Sequence, residues 1–166
     1  MTTLHHYTTP ARAESISASG LEPRSTLPGT PIPVTFAYPD EAHIAWPAPR
    51  HDENRGLAQL FLLSIDAKAE GHEGLVHITF EAPAQTMVYE NAALAHSEEA
   101  YLSSRRTIGE ELRMIKPEAA VTETIPSRAL TARFVSPSEL DALFDTYGFF
   151  QRPVRRTQQP FKRRRM

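Results

Sequence analysis

The sequence LHHYTTPARAESISASGLEPRS, residues 4–25, decides how the whole chain is interpreted. Its apolar and aromatic opening, Leu4 to Tyr7, predicts a short strand. Pro10 suits the first turn of a helix, where a missing N–H costs nothing, and either threonine before it can cap that helix. Gly20 follows at the position where a helix C-cap favours a positive φ. These signals predict a strand, a short helix and an extended segment near the start of the chain.

This order of residues resembles the opening of the ADP-ribosyltransferase-like toxin and effector families. Those chains often begin with LYHYTS and continue with a short helix that ends in SG. In these families the histidine before Tyr-Thr helps to hold NAD, which implies a cofactor-binding role for His6, with Tyr7 beside it. A plainer interpretation also fits these residues, because a His-Tyr pair in a first strand is often an edge pair with one side chain buried.

A second informative stretch, Thr107 to Ile115, reads TIGEELRMI. If it is a strand, alternation places Glu111 and Arg113 on one face. The stretch is similar to the E-x-E-W-R-I motif of ADP-ribosyltransferase-like families, with Gly109 replacing the first glutamate and Leu112 the tryptophan. The resemblance implies that Glu111 is the catalytic glutamate, and the missing first glutamate argues against modification of arginine side chains. The alternative is an exposed cross-strand ion pair, which contributes little stability.

The chemistry of NAD cleavage explains why these residue types are needed. Breaking the nicotinamide–ribose bond builds positive charge at the ribose carbon, which a fixed carboxylate stabilises. Aromatic rings can stack on the dinucleotide, and an arginine can pair with its pyrophosphate. The predicted cofactor-binding residues are His6, Tyr7, Arg24, Tyr38 and Tyr101, with Phe36 and Arg12 as further candidates.

Several classes of protein are disfavoured by what the sequence lacks. The chain has no cysteine, which excludes disulfides, thiolate metal sites and a thiol nucleophile. The spacing of its histidines does not suggest a metal site, and no Rossmann, P-loop or hydrolase motif is present. No apolar run of transmembrane length and no signal peptide is evident, so we expect a cytoplasmic protein that does not enter a membrane.

The end of the chain differs in charge from the rest. We expect one ADP-ribosyltransferase-like domain over residues 1–150 and a basic, flexible tail over residues 151–166. The tail has no acidic residue, and its basic residues are Arg152, Arg155, Arg156, Lys162, Arg163, Arg164 and Arg165. It could anchor the protein on nucleic acid, with Phe161 as a stacking residue. It could instead be a solubilising terminus or dock on an acidic partner.

Between these landmarks the pattern predicts further elements. Ile32–Tyr38 and Leu75–Glu81 alternate in the manner of strands, and Asn91–Ser104 favours a helix capped by Asn91. The apolar run Leu57–Ile65 is either a strand or a buried helix, because periodicity cannot decide at this length. Shorter strands are predicted over Met87–Tyr89, Val121–Ile125 and Ala132–Val135, and a last helix begins after Ser136 or Ser138.

Together these observations predict an α+β fold of the ADP-ribosyltransferase-like kind, with a split, bent, mostly antiparallel sheet and short helices. The function implied by the resemblance is NAD-dependent ADP-ribosyl transfer to a protein or nucleic-acid target. The alternative is a non-catalytic member of the same fold that binds a nucleotide or a partner protein. A phage or mobile-element factor that inhibits a host enzyme would be of this second kind.

Overall fold

The computed structural model describes residues 1–39, 55–110 and 114–146, without the side chains of residues 55–58. The strands are β1 (Thr3–Thr8), β2 (Ser25–Thr26), β3 (Pro33–Ala37), β4 (Leu75–Glu81), β5 (Met87–Glu90), β6 (Arg106–Thr107), β7 (Pro117–Val121) and β8 (Thr131–Val135). The α-helices are α1 (Pro10–Ser19), α2 (Arg55–Ala69), α3 (Glu98–Ser103) and α4 (Pro137–Thr146), and 3₁₀ turns span Asn91–Ala95 and Ser127–Ala129. Among the described residues, no helix is long and apolar enough to cross a membrane.

The strands form two antiparallel sheets, which confirms the predicted α+β class. One sheet has the order β1-β4-β8 and the other the order β2-β3-β7-β5-β6. The two sheets meet where His5 and Tyr38 exchange backbone hydrogen bonds, each with an N–O distance of 2.8 Å. This contact brings β1 beside the end of β3, and the candidate site lies there.

Strand β1 is covered on both faces, because successive side chains point to opposite sides of a sheet. In the antiparallel register, Leu4 lies opposite Phe80 and Tyr7 lies opposite His77. Leu4 and Phe80 are buried in a cluster that both sheets supply, together with Val121. On the other face Tyr7 packs against a second cluster, which α2 and α4 help to form. Neighbouring residues of β1 therefore have different surroundings.

Helix α1 begins and ends where the local sequence predicts. Thr9 is the N-cap, and its side-chain oxygen accepts a hydrogen bond from the backbone N–H of Arg12 at 3.3 Å. Gly20 ends the helix with φ +87° and donates its N–H to the Ile16 carbonyl. The chain then forms an isolated bridge between Leu21 and Ile125. These contacts fix the orientation of α1 beside β1.

The prediction of one helix over Asn91–Ser104 is wrong. A 3₁₀ turn and the separate helix α3 occupy this stretch. The Ser97 hydroxyl accepts a hydrogen bond from the Ala100 N–H at 2.9 Å and begins α3 there. Glu90, rather than Asn91, caps the preceding turn. A strong N-cap in the middle of a good helical sequence therefore starts a new helix.

The strand considered for Thr107–Ile115 does not form over residues 108–110. Strand β6 ends at Thr107, and a turn follows in which Gly109 has φ +101°. The Glu110 N–H donates to the Thr107 carbonyl at 3.1 Å, and a Glu110 carboxylate oxygen accepts from the Thr107 N–H at 3.2 Å. These bonds turn the chain away from the strand direction. Residues 111–113 lie outside the described residues.

Two other predictions are refined and one ambiguity is resolved. The run Leu57–Ile65 belongs to helix α2, while the strand expected over Val121–Ile125 lies earlier, as β7. Helix α4 is capped by Ser136, whose hydroxyl accepts a hydrogen bond from the Glu139 N–H at 3.2 Å. The basic tail and the predicted domain boundary near residue 150 lie outside the described residues.

Candidate functional site

A cavity of about 410 Å³ lies where β1, α1, β3 and α2 meet. Its volume is within the range of small-molecule sites. The lining residues that bear on ligand binding are His6, Tyr7, Arg12, Glu22, Arg24 and Phe36. The fold therefore brings together three of the predicted cofactor-binding residues and both of the further candidates.

His6 is held in one tautomer. Its Nδ1 lies 2.8 Å from the carbonyl oxygen of Phe36. A carbonyl only accepts, so Nδ1 carries the proton and the neutral ring keeps Nε2 as an acceptor. Burial lowers the pKa of His6, and the bond to Phe36 offsets this only in part, so the ring stays neutral at pH 7. No other described residue makes a hydrogen bond to the His6 ring. The cavity wall thus contains a fixed acceptor.

Tyr7, which follows His6 and points to the other face of β1, also lines the cavity. Its ring lies parallel to that of His77, with an interplanar angle of 6° and centroids 4.5 Å apart. Tyr7 also packs against the apolar cluster beneath α2, which includes Leu60. The ring is therefore supported from the protein interior at the edge of the cavity.

The two arginines that line the cavity are each paired with carboxylates. Arg12 pairs with Asp66 at 3.1 Å and with Glu70 at 3.5 Å, both near the end of α2. Arg24 pairs with Glu22 at 3.3 Å, and its side chain is 74% exposed. Exposed ion pairs of this kind are weak, so an anionic ligand can compete for the guanidinium groups. Among the described residues, Arg24 pairs with one carboxylate and Arg12 with two.

Tyr38 lies beside the cavity and does not line it. Its hydroxyl donates to the Oε1 atom of Gln59 at 2.9 Å, and Gln59 is a lining residue. Burial, together with the negative charge of Glu118, raises the pKa of Tyr38, so the phenol remains a donor. The Gln59 side chain therefore lies between Tyr38 and the cavity.

Tyr101 lies elsewhere, in the apolar cluster of the five-stranded sheet. It is 0% exposed, stacks on Tyr89 with centroids 4.9 Å apart, and donates from its hydroxyl to Glu118 at 2.7 Å. Burial first, and then the charge of Glu118, raises the pKa of Tyr101. As the molecule stands, this ring offers no surface to a ligand, and its contacts are those of a core residue.

The sequence predicts one carboxylate for the site, and the described lining of the cavity contains another. Glu111, the predicted catalytic residue, lies outside the described residues. Among the described residues that line the cavity, Glu22 is the carboxylate, and sequence reasoning did not assign it a role. The sequence signal that could have pointed to Glu22 is its position two residues after Gly20, where the chain leaves α1. The described part of the chain contains no group of three or more metal-binding side chains.

Comparisons with known proteins add no relative to this description. No protein-family model, no curated protein and no solved structure matches the chain. A function must therefore be argued from the cavity and from the residues that line it.

Proposed function

We propose that the protein binds NAD in the cavity lined by His6 and Tyr7, and transfers the ADP-ribosyl group to a protein or nucleic-acid target. The observation that carries this proposal is the geometry of His6. Its Nδ1 is engaged by the Phe36 carbonyl oxygen at 2.8 Å, and its neutral ring lines a cavity of ligand size. A fixed neutral acceptor suits a ribose hydroxyl, which is a donor.

The remaining contacts follow from the chemistry of the dinucleotide. Tyr7 supplies an aromatic surface for a flat ring, which is nicotinamide or adenine. Arg24 leaves its exposed pair with Glu22 and binds the pyrophosphate through charge-assisted hydrogen bonds. In this proposal a ribose hydroxyl, one of the two flat rings and the pyrophosphate of NAD each meet one residue of matching character.

The transfer step is assigned to Glu111 on the strength of the sequence resemblance. The bond between nicotinamide and ribose breaks with its electron pair on nicotinamide, which leaves as a neutral molecule. The carboxylate stabilises the positive charge at the ribose carbon. A bond then forms from the nucleophilic atom of the target to that carbon, and the proton of the nucleophile passes to a base or to water.

The first experiment measures NAD binding by calorimetry and nicotinamide release in the same sample. Binding with slow release supports transfer, and Glu111→Gln should then retain binding and lose release. Binding without release supports instead a non-catalytic, nucleotide-binding protein of the same fold. No binding at millimolar NAD would overturn the proposal.

A matched pair of variants ties the binding to the cavity. His6→Phe keeps a ring but removes the acceptor nitrogen, and we expect NAD affinity to fall at least about tenfold, the cost of a lost hydrogen bond in a buried site. His72→Phe is the control, because His72 is exposed and does not line the cavity. Equal affinities for the two variants would place NAD elsewhere.

A further inference from the structure

Three aromatic rings lie side by side behind the cavity wall. The rings of Tyr7 and His77 have centroids 4.5 Å apart, and those of His77 and His5 have centroids 5.2 Å apart with an interplanar angle of 19°. The Nδ1 atom of His5 lies 3.0 Å from Nε2 of His77. Tyr7 is the one member of this set that lines the cavity.

The register of the sheet creates this arrangement. Tyr7 of β1 pairs directly with His77 of β4, and such opposite residues share a face at close range. His5 lies two residues before Tyr7 and so points to the same side of β1. Its backbone is fixed in turn by the paired hydrogen bonds to Tyr38. The Tyr7 ring therefore packs against His77, and His77 contacts His5. The backbone of His5 is held by Tyr38 where the two sheets meet.

We propose that His77 is a positioning residue that sets the plane of the Tyr7 ring in the cavity wall, and that His5 holds His77 in the required orientation. His77 is 6% exposed, so its ring is held within the core. The hydrogen bond between His5 and His77 selects one rotation of the His77 imidazole, and the parallel contact then selects one rotation of the phenol ring.

A Tyr7 ring that His77 already holds in place lowers the entropic cost of ligand binding. A ring already held in its stacking orientation loses less conformational entropy when a flat ligand group packs on it. The support from His77 thus favours ligands with a planar aromatic end, and this consequence rests on the proposed binding of NAD. The positioning itself does not, since it is a property of the ligand-free protein.

The test compares His77→Phe with His77→Leu. Phenylalanine keeps a flat ring beneath Tyr7, whereas leucine keeps comparable apolar bulk without one. We expect His77→Leu to bind NAD about fivefold to tenfold more weakly than the unmodified protein, the range typical of a lost aromatic pair. His77→Phe should have an intermediate affinity, because it keeps the ring but loses the hydrogen bond to His5. Equal binding by the two variants would contradict the proposal, because filling the space would then suffice.

A second readout does not require NAD. In the unmodified protein the Tyr7 ring protons should resonate upfield in the NMR spectrum, owing to the ring beneath them, and in His77→Phe this shift should be kept in part. In His77→Leu this shift should be lost. An unchanged Tyr7 spectrum in His77→Leu would overturn the positioning role. If the unmodified protein does not bind NAD, the proposed function fails, and these spectra still decide the present inference.

A variant of His5 covers the case in which His77→Leu does not fold. His5→Phe keeps a ring at a half-buried position and removes the hydrogen bond to His77. We expect its Tyr7 ring signals to move toward those of a mobile tyrosine, with an unchanged circular dichroism spectrum. Tyr7 signals identical to those of the unmodified protein would show that His5 does not hold His77.

Discussion

The Nδ1 atom of His6 donates to the Phe36 carbonyl oxygen at 2.8 Å, and this single bond determines the chemistry of the ring. It selects the tautomer whose Nε2 accepts, and burial disfavours the protonated form. A residue that the sequence marks only by its place before Tyr7 thereby becomes a neutral acceptor in a cavity wall. The same burial makes the stability of the protein depend on pH.

The pH dependence is predicted in sign and size. Because the pKa of His6 is lowered in the folded protein, the unfolded chain takes up this proton first as the pH falls below the ordinary value of 6.5. The free energy of unfolding should fall below that pH, by up to about 1.4 kcal/mol per pH unit from this residue. In His6→Gln this contribution should be absent. Urea unfolding at pH 7, 6 and 5 measures the difference.

The control for this prediction is His72→Gln, at an exposed position. His72→Gln makes the same substitution at a residue that does not line the cavity. If His6→Gln and the unmodified protein lost the same free energy between pH 7 and pH 5, His6 would not be the buried neutral group described here.

At the scale of an element, the end of helix α1 depends on Gly20. Its φ of +87° and ψ of 176° form a combination that is essentially restricted to glycine. A Cβ atom there would also lie 2.5 Å from the carbonyl oxygen of Ile125. This close approach lets Leu21 pair with Ile125 and anchors the end of the helix that lines the cavity.

We expect Gly20→Ala to lower the free energy of unfolding by at least about 2–3 kcal/mol, because backbone strain and a steric clash add. Gly71→Ala is the matched control, since Gly71 has φ +83° and an added Cβ would meet no atom within 4 Å. In Gly71→Ala the free energy of unfolding should fall by only about 1 kcal/mol, which is the cost of a left-handed conformation for alanine. Equal losses in urea unfolding would mean that the contact with Ile125 contributes nothing.

At the scale of the whole molecule, Glu118 joins distant parts of the five-stranded sheet and its helix. Glu118 is 5% exposed, and its carboxylate accepts hydrogen bonds from the Tyr101 hydroxyl at 2.7 Å and from Asn91 Nδ2 at 3.0 Å. A buried carboxylate needs such donors, because an unpaired charge in the interior is costly. This network lies apart from the cavity lining.

Tyr101→Phe should therefore reduce stability and leave ligand binding unchanged. Removing the hydroxyl takes one donor from Glu118, which we expect to lower the free energy of unfolding by about 1–3 kcal/mol. NAD affinity should stay within about twofold of the unmodified protein, since the ring does not reach the cavity. Calorimetry beside urea unfolding separates the two effects. A large loss of NAD affinity without loss of stability would restore the cofactor-binding role predicted from the sequence.

The basic tail allows a prediction that rests on the sequence alone. If its seven basic residues contact single-stranded nucleic acid, removing residues 152–166 should reduce the slope of log affinity against log salt by up to about 5. A salt titration of the full-length and shortened proteins measures this. An unchanged slope would exclude the nucleic-acid anchor and favour a solubilising or partner-docking terminus.

The elements that the sequence predicted well depend on short-range signals. The strand before Thr9, the helix opened by Pro10 and the positive φ of Gly20 each follow from residues within one or two turns. The alternating stretch Leu75–Glu81 likewise forms β4 as expected. The division of residues 91–104 was missed because helix propensity was summed across a stretch in which Ser97 starts a second helix.

What the sequence alone determined is therefore the local elements with strong short-range signals, the α+β class and the placing of His6 and Tyr7 in the first strand. Tertiary structure decided which residues meet. The bond from His6 to Phe36 spans 30 residues, and that between His5 and His77 spans 72. Such contacts depend on which strands pair and on how the two sheets join, and both involve segments that lie far apart in the sequence. The cavity, the pairing of Arg12 with Asp66 beside it and the support of Tyr7 by His77 exist only because folding brings these segments together.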